Sequence, residues 1–113
     1  MSEVTVEQLE QQLKSQQGLV DLRDAAIKLS GNREFKKLIL DGFMLTESAR
    51  YAQESGDPML SDRERADALN MAQAAGHLKR FLQITILRGN TAARDIGDLN
   101  VALDESRAGE GEE

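Results

Sequence analysis

Apolar residues recur at helical spacing through three stretches of this chain, and short polar breaks separate them. The first stretch opens with Thr5 and Gln8, a capping-box pair, so helix 1 is predicted to begin near Val6. Val6, Leu13, Val20 and Ile27 follow at seven-residue intervals, and Leu9 joins their face. This is half of a coiled-coil seam, weakened by Gln16 and Arg23 at its other positions. From Leu19 a second stripe appears, made of Leu19, Leu22, Ala26 and Leu29. The sequence SGN at 30–32 breaks the pattern, and Asn32 is a suitable N-cap for the next helix.

Helix 2 is predicted from Arg33 to Ser55. At 100° per residue, Phe35, Leu38, Ile39, Gly42, Leu45, Thr46 and Ala49 share one face. Leu40, Phe43, Met44 and Tyr51 lie on another. Gly56 and Pro58 end the helix. Ser61 with Glu64 forms a second capping box, so helix 3 starts near Asp62. Its main stripe is Ala68, Met71, Ala72, Ala75, Leu78, Leu82 and Ile86, with Phe81 and Ile84 off it. Gly89 and Asn90 either stop this helix or allow it to run on to about Ile96.

The five-residue break GDPML predicts that helices 2 and 3 form an antiparallel hairpin. Centring the turn near residues 58–59 sets Leu38 opposite Leu78, Gly42 opposite Ala75 and Leu45 opposite Ala72. Each partner falls on its helix's main face. Gly42 should cost about 1 kcal/mol relative to alanine in mid-helix, and close approach to Ala75 is the expected compensation. The fold class is therefore all-α: a hairpin, an additional N-terminal helix and a disordered acidic C-terminal tail. Residues 1–96 form one helical domain in this reading, and residues 97–113 a flexible tail.

Charge sharpens that boundary. The net charge is −6, but residues 97–113 hold six acids against Arg107, a balance of −5 that leaves −1 for residues 1–96. A nucleic-acid binder needs a basic face, and the one basic cluster seen is Lys79, Arg80, Arg88 and Arg94. Placed near a helix C-terminus, these four have an ordinary explanation in the helix dipole. There is no tryptophan, and three phenylalanines and one tyrosine offer few stacking platforms. Nucleic acid is therefore not the expected partner. No apolar run is long enough to span a bilayer and no signal-peptide pattern opens the chain. The expected location is a cytosol, or a particle assembled in one, without membrane contact.

Candidate chemistry is sparse. The chain has no cysteine and one histidine, which excludes thiolate chemistry and argues against a histidine metal site. His77 reads as a surface residue. Asp62, Glu64 and Asp67 alternate with Arg63 and Arg65 and are first-turn acids, not a metal cluster. No phosphate loop, zinc-protease motif or nucleophile elbow is present. The reading is non-enzymatic, with no cofactor, metal or small-molecule substrate. What remains is the surplus apolar face: Leu40, Phe43, Met44 and Tyr51 on helix 2, with Phe81 and Ile84 on helix 3. Unless helix 1 covers it, this face marks a homo-oligomer or partner contact.

The block Asn32-Arg33-Glu34-Phe35-Lys36-Lys37-Leu38-Ile39-Leu40-Asp41-Gly42-Phe43, then Glu47-Ser48-Ala49-Arg50 and His77-Leu78-Lys79-Arg80-Phe81-Leu82, resembles small helical proteins of tailed bacteriophages. These belong to structural and head-assembly gene regions. The resemblance covers about residues 20–96 and leaves the acidic tail unmatched. It implies a phage virion or head-assembly component that acts through protein contacts, as a homo-oligomer or with other virion proteins. The alternative is a small phage regulator that binds and inhibits a host polymerase or defence factor. A third reading, nucleic-acid binding through the basic cluster, requires salt-dependent DNA binding.

Overall fold

The computed structural model describes residues 5–111, and all regular structure among them is helical. Residues 1–4 of the expected domain and 112–113 of the expected tail lie outside this range. Helix α1 is Val6–Ser30. The helical run α2 covers residues 33–55 and changes its winding twice. Arg33–Phe35 is α-helical, Lys36–Glu47 is π-helical and Ser48–Ser55 is α-helical again. Helix α3 is Asp62–Gly111.

The helix starts follow from side-chain capping. Thr5 and Gln8 satisfy each other's backbone N–H groups: the Gln8 amide donates to Thr5 Oγ1 at 3.1 Å and the Thr5 amide to Gln8 Oε1 at 2.9 Å. Asn32 Oδ1 accepts from the Phe35 amide at 2.8 Å, which opens α2. The Glu64 amide donates to Ser61 Oγ at 3.1 Å, and the Ser61 amide donates back to Glu64 Oε1 at 3.4 Å. Gly56 closes α2 with φ −107°, so it does not use the left-handed conformation open to glycine. Its amide instead donates to Gln53 O at 3.1 Å, and Asp57's to Glu54 O at 3.1 Å.

The chain divides into two compact units. The first holds residues up to Ala26 and from Thr85 onward. Here α1 and α3 run antiparallel. Arg107 Nη2 donates to Glu10 Oε1 at 2.9 Å, and Arg23 Nη1 donates to Asn90 Oδ1 at 3.2 Å. On α1 one covered series is Val6, Leu9, Leu13, Gln16, Val20 and Arg23, with Leu19 and Ala26 covered beside it. On α3 the matching series is Gly89, Ala92, Ile96, Leu99, Leu103 and Ser106, with Thr85, Ile86 and Ala102 half-buried beside it. Both series alternate spacings of three and four, so the half-seam of α1 finds its other half in the distal part of α3. Leu9, Val20, Ala92 and Leu103 are its buried apolar members. Full burial of each leucine or valine stabilises by about 1.5–3 kcal/mol.

Arg23 occupies a seam position because Gly89 faces it. A Cβ on Gly89 would fall 2.1 Å from Arg23 Cβ and 2.8 Å from its Cδ. The aliphatic stem of Arg23 thus lies where a larger residue would stand, while its guanidinium reaches Asn90 and Asp24. Gly89 is a packing glycine, not a stop. Helix α3 continues past it to Gly111, and this corrects two expectations. Residues 97–111, expected to be a flexible tail, are helical, and Leu103 among them is only 3% exposed. Lys79, Arg80, Arg88 and Arg94, expected near a helix C-terminus, sit in mid-helix, so the dipole does not account for them.

The second unit is Ile27–Ile84. Its part of α3 follows the predicted stripe. Ala68 and Ala75 are buried, and Ala72, Leu78 and Leu82 are half-buried, although Met71 is 39% exposed. Gly42 departs from expectation. The atoms within 4 Å of the place its Cβ would take are Lys37 O, at 3.0 Å, and Lys37 C. Ala75 is not among them, so the proposed close approach between Gly42 and Ala75 is absent. The crowding comes from the carbonyl five residues earlier on α2 itself, as π-helical winding dictates.

Two stability measurements check this packing. Gly89→Ala should destabilise by about 1–3 kcal/mol through overpacking against Arg23. Gly97→Ala, whose Cβ would meet nothing within 4 Å, should gain up to about 1 kcal/mol from helix propensity. Equal denaturation midpoints for the two variants would rule out the Arg23–Gly89 seam. Leu103→Ala should cost about 2–5 kcal/mol; a midpoint that does not move would restore a non-structural role to residues 97–111.

Candidate protein-interaction surface

The π-helical segment decides which side chains α2 presents. Among residues 33–55, the covered or half-covered positions are Phe35, Ile39, Leu40, Gly42, Phe43, Met44, Glu47, Ser48, Tyr51, Glu54 and Ser55. Through Lys36–Glu47 they recur about every four residues, a slower repeat than that of an α-helix. The Ser48 amide donates to Phe43 O, five residues back, at the end of this segment. Each residue therefore turns the helix through less than the 100° assumed from the sequence.

The outcome redraws the two predicted faces: Phe35, Ile39 and Gly42 of the main face stay half-buried as expected, but the rest of it does not. Leu40, Phe43, Met44 and Tyr51, expected as the surplus interaction stripe, are half-buried. Leu38 and Leu45, expected to face helix 3, are 70% and 69% exposed. Thr46 and Ala49 are exposed with them. On α3, Ile84 is half-buried and Phe81 is 65% exposed. Of the six residues picked from the sequence, Phe81 alone is classed as exposed. Leu38 and Leu45 are the exposed residues that the sequence reading placed inside. An alternation of four and five between apolar positions, at Phe35, Ile39 and Met44, is the trace of π winding that was available in the sequence.

Tyr51 owes part of its cover to its own helix. The Arg50 guanidinium lies 4.6 Å from the ring centroid. Arg50 Nε donates to Glu47 Oε2 at 2.9 Å, and Arg50 Nη1 to Glu54 Oε1 at 2.5 Å. The bonds to Glu47 and then Glu54 push the guanidinium further above its ordinary, already high pKa. Arg50 therefore stays charged and held between two carboxylates, and the Glu47–Arg50–Glu54 triad carries a net charge of −1. Below it, Tyr51, Glu54, Leu60, Glu64, Asp67, Ala68 and Met71 line an open cleft of about 300 Å³. Its carboxylates are engaged in part: Glu54 accepts from Arg50, and Glu64 accepts from the Ser61 amide. Asp62 pairs with Arg65 outside it.

His77 is exposed. Among the described residues no group of three or more histidine, aspartate or glutamate side chains is arranged to hold a metal ion. No helix of the described residues is long and apolar enough to cross a membrane. Comparison with family models, with curated proteins and with solved structures finds no match to this chain.

The exposure of Leu38 and Leu45 has a direct consequence for mutagenesis. Leu38→Ser with Leu45→Ser should shift stability by no more than about 0.5 kcal/mol per site. Phe43→Ser, at a covered position, should cost about 1 kcal/mol or more. Chemical denaturation ranks the variants, and the opposite order would return α2 to the α-helical facing.

Proposed function

We propose that this chain is a non-enzymatic structural component of a phage virion or of its head assembly, working through protein–protein contacts as a homo-oligomer or with other virion proteins. One observation carries the reading. Among the described residues, the buried hydrophobic side chains are Leu9, Val20, Leu103 and four alanines, Ala26, Ala68, Ala75 and Ala92. Outside stand Leu22, Ile27, Leu38, Leu45, Phe81, Leu87 and Val101, each more than half exposed, besides Met59 in the turn. With four alanines among the seven buried side chains and seven large ones mostly exposed, much hydrophobic stabilisation is left to be gained by association. The resemblance of residues 32–43, 47–50 and 77–82 to helical proteins of tailed phages supplies the setting.

The same proposal includes the hairpin. The six residues 56–61 between α2 and α3 hold the two helices close in sequence. Tyr51 and Glu54 share a cleft with Glu64, Asp67, Ala68 and Met71, which supports antiparallel packing at the turn end. Residues 33–55 and 62–84 then form one presenting element, on which Leu38 and Leu45 are exposed.

Quantitative mass spectrometry of purified particles tests the assignment. A virion component appears in fixed copy number relative to the other particle proteins. Detection in infected-cell lysate with absence from particles and from head precursors would exclude the structural role and favour a regulator of a host protein.

A further inference from the structure

Charge is segregated along this chain, and the fold leaves two opposite patches unneutralised. The first surrounds the turn between α1 and α2. Lys28, Arg33, Lys36 and Lys37 are all exposed there, and Glu34 is the one acid within residues 27–38. The ion pairs among the described residues involve Arg23, Arg50, Arg65 and Arg107, and none of these four cations. Aliphatic side chains are interleaved with the cations: Ile27 is 52% exposed, Leu29 43% and Leu38 70%.

The second patch is on the distal part of α3. Asp98, Val101 and Glu105 follow at spacings of three and four, so they share one helical face. All three are exposed, Val101 to 58%. Asp104 is exposed beside them. The sequence adds Glu110, Glu112 and Glu113, and the one base within residues 97–113, Arg107, is directed to Glu10.

From these patches we infer that the basic turn at Lys28–Lys37 of one copy binds the acidic α3 face at Asp98–Glu105 of a second copy. The inference deepens the assembly reading and rests on it only for the claim that the chain works through protein contacts. Both patches mix charge with aliphatic surface, so the contact pairs lysine and arginine with carboxylates around Val101, Ile27 and Leu38. Nucleic acid matches the turn less well. Base stacking requires exposed aromatic rings, and the aromatic residue of this segment, Phe35, is half-buried. A chain of net charge −6 is also repelled by polyanions at long range.

Because the two patches differ, the contact is heterologous. Each copy offers one of each kind, so contacts propagate to a ring or an open filament instead of closing as a two-fold dimer. Exposed charges dominate, so salt should weaken it.

Charge exchange in the full chain tests the inference by sedimentation. Wild type should self-associate, with the association constant falling roughly tenfold or more between about 0.05 and about 0.5 M salt. The Lys36→Glu/Lys37→Glu variant should sediment as a monomer, and so should Asp98→Lys/Glu105→Lys. Mixed, the two variants pair the intact basic turn of one with the intact acidic face of the other, and their reversed patches are again opposite in charge, so the mixture should regain the association that neither variant shows alone. Circular dichroism confirms that each variant stays helical, and Lys28→Gln/Arg33→Gln replaces the first if it does not. A wild-type monomer at every concentration would overturn the inference. So would salt-insensitive association, a mixture of folded variants that stays monomeric, or loss in Lys36→Glu/Lys37→Glu of duplex-DNA binding in place of self-association. None of these results touches the particle assignment, which mass spectrometry decides separately.

Discussion

Small residues on the inner face of α3 set the terms for everything packed against it. Ala68, Ala75, Gly89 and Ala92 are its most deeply covered positions together with Leu103. Small side chains let neighbouring backbones come close, and dispersion contacts gain from that proximity. They also bury little apolar area per residue. Where α3 carries Gly89, α1 answers with the stem of Arg23, so even a seam position is filled by a side chain that ends in charge. Seam positions with polar ends lower stability and specify register. Gln16 and Arg23 thus help fix how α1 and distal α3 align, at the expense of the apolar burial that leucines there would supply.

That shortage inside explains the surplus outside. Leu38, Leu45, Leu87 and Val101 each retain more than half of their exposure, although each would contribute about 1.5–3 kcal/mol if fully buried. Two or three such residues meeting a partner supply energy comparable to a large part of the stability of a small domain. Under the proposed assembly, folding and association would not be separate problems for this chain: a partner contact would supply burial that its own helices do not.

Much of the helical scaffold is legible without coordinates because capping is local chemistry. The pairs Thr5–Gln8 and Ser61–Glu64, and Asn32 with the Phe35 amide, place three helix starts from neighbours three residues apart. The half-seam Val6, Leu13, Val20 is legible for the same reason, since periodicity is a property of one segment. Its other half is not. Gly89, Ala92 and Ser106 carry no hydrophobic signal, and Asp95, Asp98, Asp104 and Glu105 on the outer side make the segment look like a solvated tail. Only the long-range contact of Arg23 with Gly89 and Asn90 shows why a Gly-Asn pair continues a helix. A glycine in mid-helix costs about 1 kcal/mol, and here the alternative is a clash with Arg23.

The facing of α2 departs from the sequence pattern for a different reason. Its prediction assumed a fixed 100° per residue, and α2 does not wind that way through Lys36–Glu47. A change of winding leaves the identity of every residue intact while rotating which ones look outward. Leu38 and Leu45 lie seven residues apart, an interval that keeps two residues nearly on one face of an α-helix. In slower winding the same interval rotates them apart, so the two leucines present to different flanks while Phe43 and Met44 turn inward. On the proposed assembly reading, a π-helical segment in the middle of a surface element would act as a specificity device. It would offer a partner two separated leucine contacts flanking a helix whose other large side chains are half-buried. A flat helix-in-groove partner, which reads anchors along a single line, fits that spacing poorly. A partner that wraps the helix from two sides, or two neighbours that each take one leucine, fits it well, and the second arrangement is natural where copies of one chain surround another.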